Sequence, residues 1–371
     1  MTLRTPRRPI PDPLPMGSYS PEDVIFLLKN LNGVIRETDL KTRESLIQSG
    51  GHYSEMLPIE YQPSAEYLRL FHQSLQENAN KVAEAAGIVS EQILRRNGSR
   101  TVLVSLARAG TPIGVLLKRY LLEKRGLNLP HYSISIIRGK GMDENAILYI
   151  LQHHPEYKLQ FIDGWTGKGA ITMTLRDACL KFQATYGYEL DSDLAVLTDP
   201  GHCVNTFGTR EDFLIPSACL NSTVSGLISR TVLRKDLIGE QDFHGARYYQ
   251  ELEAENVSGL FVDTISAQFK NLDREHLANL PLKNTEITWK GLKDLEEIQK
   301  KYQVRDINLL KPGLGETTRV LLRRLPERIL VNEPDNPNLK HILLLAKDRG
   351  VPVEVFPELT YACCGMIKQL S

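Results

Sequence analysis

The sequence predicts an α/β fold, a parallel sheet with helices between its strands, followed by a small α/β/α module. Three observations carry this. Apolar or β-branched runs near residues 102, 134, 160 and 195 alternate with helical apolar spacing, which implies βαβ units. Leu159 to Phe182 passes from an apolar run through a glycine-rich turn into a helix. Beyond a charged helix striped by Leu292, Leu295, Ile298 and Tyr302, the alternation restarts on a smaller scale.

Length and composition set the frame. At 371 residues the chain is long enough for two domains. Apolar residues make up 42% and charged residues 24%, ordinary globular values. Lys+Arg and Asp+Glu balance at 45 each, so nucleic acid contact has to come from a local patch. The five cysteines form no CxxC pair, which suggests a reducing compartment and structural thiols. No signal pattern or membrane-length apolar run is present, and a cytoplasmic protein is expected.

The elements follow in order. Residues 1–16 are a proline-rich, irregular arm. Ser20, Pro21 and Asp23 read as a helix start, with Val24, Leu27, Leu28 and Leu31 as its apolar stripe. Pro63 to Arg96 reads as two helices. Thr101 to Val104 is a strand, and Ser105-Leu106-Ala107-Arg108-Ala109-Gly110-Thr111 leads into the next helix. His131 to Ile137 is a strand that runs into the basic, glycine-bearing turn Arg138 to Asp143. Ala146 to Leu151 is a helix. Asp193 to Thr198 is a strand that ends in Asp199-Pro200-Gly201-His202-Cys203. In the last module Arg328 to Val331 and Val351 to Phe356 are strands, and Tyr361 to Leu370 a closing helix.

The chemistry concentrates on Asp163-Gly164-Trp165-Thr166-Gly167-Lys168-Gly169-Ala170. Glycines let backbone amides approach an anion, and the following helix N-terminus adds partial positive charge. Asp163 stands at the carboxyl end of its strand, where open α/β sheets bind ligands. The P-loop spacing fails here, as does GxGxxG. A βα turn without a ligand fits the same residues. His52, Tyr53 and Glu55 form a second dense group that also suits a plain turn.

The Asp163–Ala170 stretch resembles the PRPP motif of type I phosphoribosyltransferases, and Ser105 to Thr111 resembles their pyrophosphate loop. The resemblance implies a phosphoribosyltransferase-like core over 17–282 with a helical N-terminal elaboration. It implies a PRPP site of Ser105, Ala107, Arg108, Ala109, Gly110, Thr111, Asp163, Gly164, Trp165, Thr166, Gly167, Lys168, Gly169 and Ala170. Asp163 would meet the ribose hydroxyls and Mg²⁺, Arg138 and Lys140 would close over the leaving group, and the proton acceptor is open among His52, Glu55 and His244. The implied reaction is glycosyl transfer from PRPP to a base-like or amine acceptor, with release of pyrophosphate.

Residues 306–371, after a linker helix at 283–305, resemble the Pelota-type RNA-binding domain. The matching features are Gly313-Leu314-Gly315-Glu316, a basic helix, Val351-Pro352-Val353 and Leu359-Thr360-Tyr361-Ala362. The resemblance implies RNA contact through Lys311, Gly313, Gly315, Glu316, Thr317, Arg319 and Arg323. Gly315 replaces the asparagine that helps kink-turn binders read RNA.

With Gly51 to Met56 and Phe243-His244-Gly245 added, nearly the whole chain is similar to one bacterial family. That family joins a phosphoribosyltransferase-like domain to a Pelota domain in tellurium-resistance-type stress operons, and also carries a StiP cysteine-protease label. The implied partners are PRPP, an acceptor and RNA, with a homodimer admitted and no membrane. Two other classes remain: a cysteine hydrolase using Cys203 with His52, His202 or His244, and a non-catalytic regulator that senses PRPP or a nucleotide and binds RNA through its C-terminal domain.

Overall fold

Parallel strands covered on both faces read as near-continuous apolar runs, broken here by buried polar residues such as Ser105, Ser133 and Ser135. The chain forms these as β1 (Ile25–Phe26), β2 (Thr101–Ala107), β3 (His131–Ile137), β5 (Lys158–Trp165), β6 (Leu194–Thr198) and β7 (Thr206–Thr209). The short β4 (Gly141–Met142) folds back antiparallel on β3. The sheet order is β1-β3-β2-β5-β6-β7, with every pair on that path parallel. The computed structural model describes residues 10–39, 42, 46, 50–60, 62–280 and 286–369. The first nine residues of the expected arm and the start of the expected linker lie outside the described residues.

Alternate side chains of the strands feed two cores. Leu103, Ile162, Ala195 and Leu197 pack with α1 (Ala65–Asn97) and α2 (Thr111–Arg125) on one face. Val102, Val104, Phe161 and Val196 pack with α3 (Glu144–His153) and α4 (Ala170–Tyr186) on the other. The expected α/β class and mostly parallel sheet are therefore present.

Three local expectations fail. Ser20 closes only a single turn, because Leu27 N donates to Ser133 O at 2.9 Å and Lys29 N to His244 O at 2.9 Å. Pairing with distant segments takes the backbone bonds that a helix needs. The two expected helices over Pro63 to Arg96 are the single α1, running unbroken to its Gly98 cap at φ 76°. Gly87 does not interrupt it, and a Cβ there would lie 2.7 Å from Leu277 Cδ1. The expected closing helix contains a strand instead.

The C-terminal sheet comprises β8 (Leu310–Pro312), β9 (Pro326–Val331), β10 (Val353–Val355) and β11 (Cys363–Ile367), in the order β8-β11-β9-β10. Its helices are α7 (Lys290–Lys301), α8 (Leu314–Arg323) and α9 (Lys340–Asp348); α5 (Ser258–Ser266) and α6 (Arg274–Asn279) precede them. Leu314, Leu321, Ile342 and Ala362 join the same apolar cluster as α1 and α2, so the two parts are packed onto one core. Among the described residues no helix is long and apolar enough to cross a membrane.

Candidate active site

Strands β5 and β6 are parallel neighbours, so the turns leaving their carboxyl ends lie side by side. Thr166 N donates to Thr198 O at 3.2 Å and ties the two exits together. The Asp199 carboxylate then organises both turns. It accepts the Thr166 hydroxyl, Cys203 N at 2.8 and 3.1 Å, Val204 N at 3.2 Å and an Arg210 guanidinium N–H at 2.5 Å. Burial raises the Asp199 pKa, and these donors oppose the shift. His202 adopts φ 55° to complete the turn.

This bracing fixes the Cys203 thiol against the glycine-rich turn. Cys203 is 0% exposed, and its Sγ lies 3.5 Å from Gly167 O. A Cβ on Gly201 would sit 2.2 Å from Gly167 O and 3.0 Å from that sulfur, so a glycine is required there. Burial, then the Asp199 charge, push the thiol up to about 12, and it is protonated at neutral pH.

The glycines expected to admit an anion admit aromatic rings instead. A Cβ on Gly167 would lie 2.7 Å from Trp165 Cζ3, and one on Gly169 would lie 2.2 Å from Trp289 Cζ3. Tyr361 Oη donates to Gly167 O at 3.1 Å. Lys168 Nζ donates to Ile307 O at 3.0 Å and Asn308 Oδ1 at 3.2 Å, both beyond the linker. The cradle is a docking seam between the two halves of the chain.

The other expected groups disperse. Arg108 pairs with Glu60 at 3.2 Å, at 15% and 7% side-chain exposure, and donates to Ile228 O. The peptide between Ala107 and Arg108 is cis. Burial works to raise the Glu60 pKa, but Arg108 and two bonds from Ser222 hold it below the usual range. A Cβ on Gly110 would meet Ile162 O at 2.5 Å. Ser105 Oγ bonds His131 Nε2 at 2.6 Å, and Thr111 Oγ1 bonds Ser133 Oγ at 2.8 Å, all inside the core. Ala109 is exposed.

His52 bonds Ser54 and stands near Gly139, while Tyr53 Oη accepts Arg138 N at 2.8 Å; Glu55 shares that turn. Arg138 and Lys140 are exposed. His244 bonds Ser135 Oγ at 2.9 Å. These histidines therefore attach to β3 and its exit. With β2 and β5 between β3 and β6, three strand spacings separate them from the Cys203 side, about 14 Å. His202 is next to Cys203 in the chain.

Asp163 keeps a half-buried place at the end of β5, accepting Gly164 N at 2.8 Å. Burial raises it to about 6, against Gly164 N–H and Arg138. Burial, then Lys311 and Arg138, lower Lys168 to about 8. Among the described residues no three of His, Cys, Asp and Glu group as metal ligands.

The face expected to meet RNA is largely docked. Leu314 N donates to Asp212 Oδ1 at 3.3 Å, and Ala362 N to Asp212 Oδ2 at 3.0 Å. A Cβ on Gly313 would lie 2.4 Å from Trp165 Cζ2, and one on Gly315 would lie 3.0 Å from Ala218 Cβ. Arg319 Nε donates to Ala218 O and its Nη1 pairs with Glu316, while Thr317 is fully buried. Lys311 is half-buried; the Arg323 side chain lies outside the described residues. Burial drives Asp212 up to about 7, against the two amides it accepts.

Asp199, Asp212 and Glu60 escaped the sequence reading as site-forming groups. Asp199 had a usable signal, an acid directly after a strand and before Pro-Gly. Trp289 and Tyr361 had none.

Comparison with known proteins adds the chemistry. A family model described as tellurite-like stress resistance cysteine protease StiP matches residues 17–266. A PELOTA RNA binding domain model matches residues 289–369. A protein named cysteine protease StiP from Acinetobacter baylyi is 33% identical over 369 residues, covering 96% of this chain and 94% of the relative. These matches overturn the expected pentosyltransferase, with its PRPP and acceptor partners: the family is named for thiol proteolysis, and the turn assigned to phosphate is filled by Trp165, Trp289 and Tyr361.

Proposed function

Because the chain belongs to the StiP family of tellurite-like stress resistance cysteine proteases, we propose that it is a thiol-dependent peptidase with Cys203 as nucleophile. One observation carries the choice of thiol. Three cysteines fall within the matched segment 17–266. Cys179 lies in the middle of α4, pushed up to about 12 by burial, and Cys219 ends the 3-10 turn Pro216–Cys219 in the α1 core. Cys203 leaves the carboxyl end of a central parallel strand on the Asp199-braced turn, where open sheets place their chemistry.

His202, adjacent to Cys203 in the chain, is the proposed base. Burial, then Arg210 and Lys290, lower its pKa below the usual histidine range and keep the ring neutral. The imidazole takes the Sγ proton, and the thiolate adds to the peptide carbonyl carbon. The C–N bond breaks as the imidazolium protonates the departing amine. Water then hydrolyses the thioester, releases the carboxylic acid and returns the thiol. A thiol nucleophile suits a reducing compartment, so the proposed location is the cytoplasm.

The test is turnover of a fluorogenic casein by Cys203→Ala, Cys179→Ala and Cys219→Ala proteins. Cys203→Ala is expected to lose about 10³-fold or more, and the other two to keep their rates. Retained turnover in Cys203→Ala, or loss in either of the others instead, overturns the assignment.

A further inference from the structure

As the chain folds, a nucleophile at Cys203 has no path to a substrate. A peptide carbonyl must come within about 3–3.5 Å of the attacking sulfur. That space is taken by a strap from the start of α7. Trp289 N donates to His202 O at 3.1 Å, and Gly291 N to Gly201 O at 3.2 Å. These two bonds lay the strap across the turn that carries Cys203. The Trp289 indole lies over the Gly169 Cα, at a point where an added methyl would lie 2.2 Å from Trp289 Cζ3 and 3.1 Å from Cys203 Sγ.

The strap is held down from behind. A Cβ on Gly291 would meet Tyr361 Oη at 2.0 Å, and Tyr361 itself donates to Gly167 O. Asp212 completes the attachment by accepting Leu314 N and Ala362 N.

The strap also carries backbone strain. Trp289 sits at φ 55°, ψ 31°, a left-handed conformation that bulky residues rarely adopt. A segment under such strain, tied by two amide bonds and one indole, is suited to release as a unit.

We propose that the Trp289–Gly291 strap, backed by the C-terminal domain, is an autoinhibitory cover, and that Cys203 becomes reactive when the strap lifts from Gly169 and Gly201. The proposal rests on the reading of Cys203 as nucleophile. It makes the folded chain a latent form whose activity is set by the fraction of molecules with the strap open.

The experiment follows N-ethylmaleimide labelling of each cysteine by peptide mass mapping in the full chain, wild type against Trp289→Gly. Glycine tolerates the left-handed backbone, so the substitution removes the indole without adding strain. Cys203 labelling is expected to accelerate at least tenfold, with Cys179 and Cys219 unchanged. Tyr361→Phe, which deletes the bond to Gly167 O, is expected to accelerate it by a smaller factor. Unchanged Cys203 labelling in Trp289→Gly overturns the cover, as does acceleration of all cysteines alike, which reports general loosening. Casein turnover separates the two ideas. Faster Cys203 labelling with turnover that survives Cys203→Ala keeps the cover and sinks the peptidase reading.

Discussion

Asp199 grips Cys203 by its backbone, with the amide N–H of Cys203 bonded to both oxygens of the carboxylate at 2.8 and 3.1 Å. The same carboxylate takes Thr166, Val204 and Arg210, so one buried charge fixes two adjacent turns. Its removal takes the carboxylate from the Arg210 guanidinium and from the Cys203 and Val204 amides. Asp199→Ala is expected to cost about 3–5 kcal/mol, read as the urea midpoint of unfolding. A loss below about 1 kcal/mol would mean that Asp199 is not the brace.

The carboxyl of Asp212 gives a pH signature. In the unfolded chain it titrates near 3.9, and in the fold it is raised to about 7. Folding therefore favours its protonated form. Its contribution to stability is full below about pH 4, declines as pH rises, and is gone above about pH 7. Comparison of wild type with Asp212→Asn at pH 5 and pH 7.5 isolates it from other carboxylates. Wild type is expected to lose more stability than Asp212→Asn between the two; parallel changes would show that Asp212 is not held protonated.

Overpacking of the strap is a separate probe. A Cβ at position 291 would lie 2.0 Å from Tyr361 Oη and 2.8 Å from Gly201 Cα. Gly291→Ala is expected to destabilise by about 1–3 kcal/mol in guanidinium unfolding. An unchanged midpoint would show that the strap has slack.

Arg108 is assigned to structure. Its partner Glu60 also takes Ser222 N and Oγ, at 3.0 and 2.9 Å. Arg108→Ala leaves a largely buried carboxylate without its cation and is expected to cost about 3 kcal/mol. In a double-mutant cycle with Glu60→Gln, the pair should couple by at least about 1 kcal/mol. Additive losses would release Arg108 for another role.

The extent of local information differs by element. Strands β2, β3, β5 and β6 were legible as short runs rich in apolar and β-branched residues, β3 alternating Ser with Ile, each followed by turn or helix signals. Val24, Leu27, Leu28 and Leu31 have helical spacing, yet that segment pairs with Ser133, His244 and Ala246, more than one hundred residues away. Cys363 to Ile367 reads equally as helix or strand, since a central strand of a small sheet shows no alternation. At the site, close approach was legible in Gly167 and Gly169. What approaches was not.

Composition, periodicity and glycine placement decided that this chain is an α/β protein with a tight turn after β5 and a small appended module. Those features depend on near neighbours in the chain, so they survive in a string of letters. Long-range packing decided that indole and phenol rings close the turn, that Asp199 seats Cys203, and that the appended module lies over the thiol. Trp289 and Tyr361 reach Gly169 and Gly167 only after the sheet and both cores are assembled, because burial and hydrogen bonding act through space and not along the sequence.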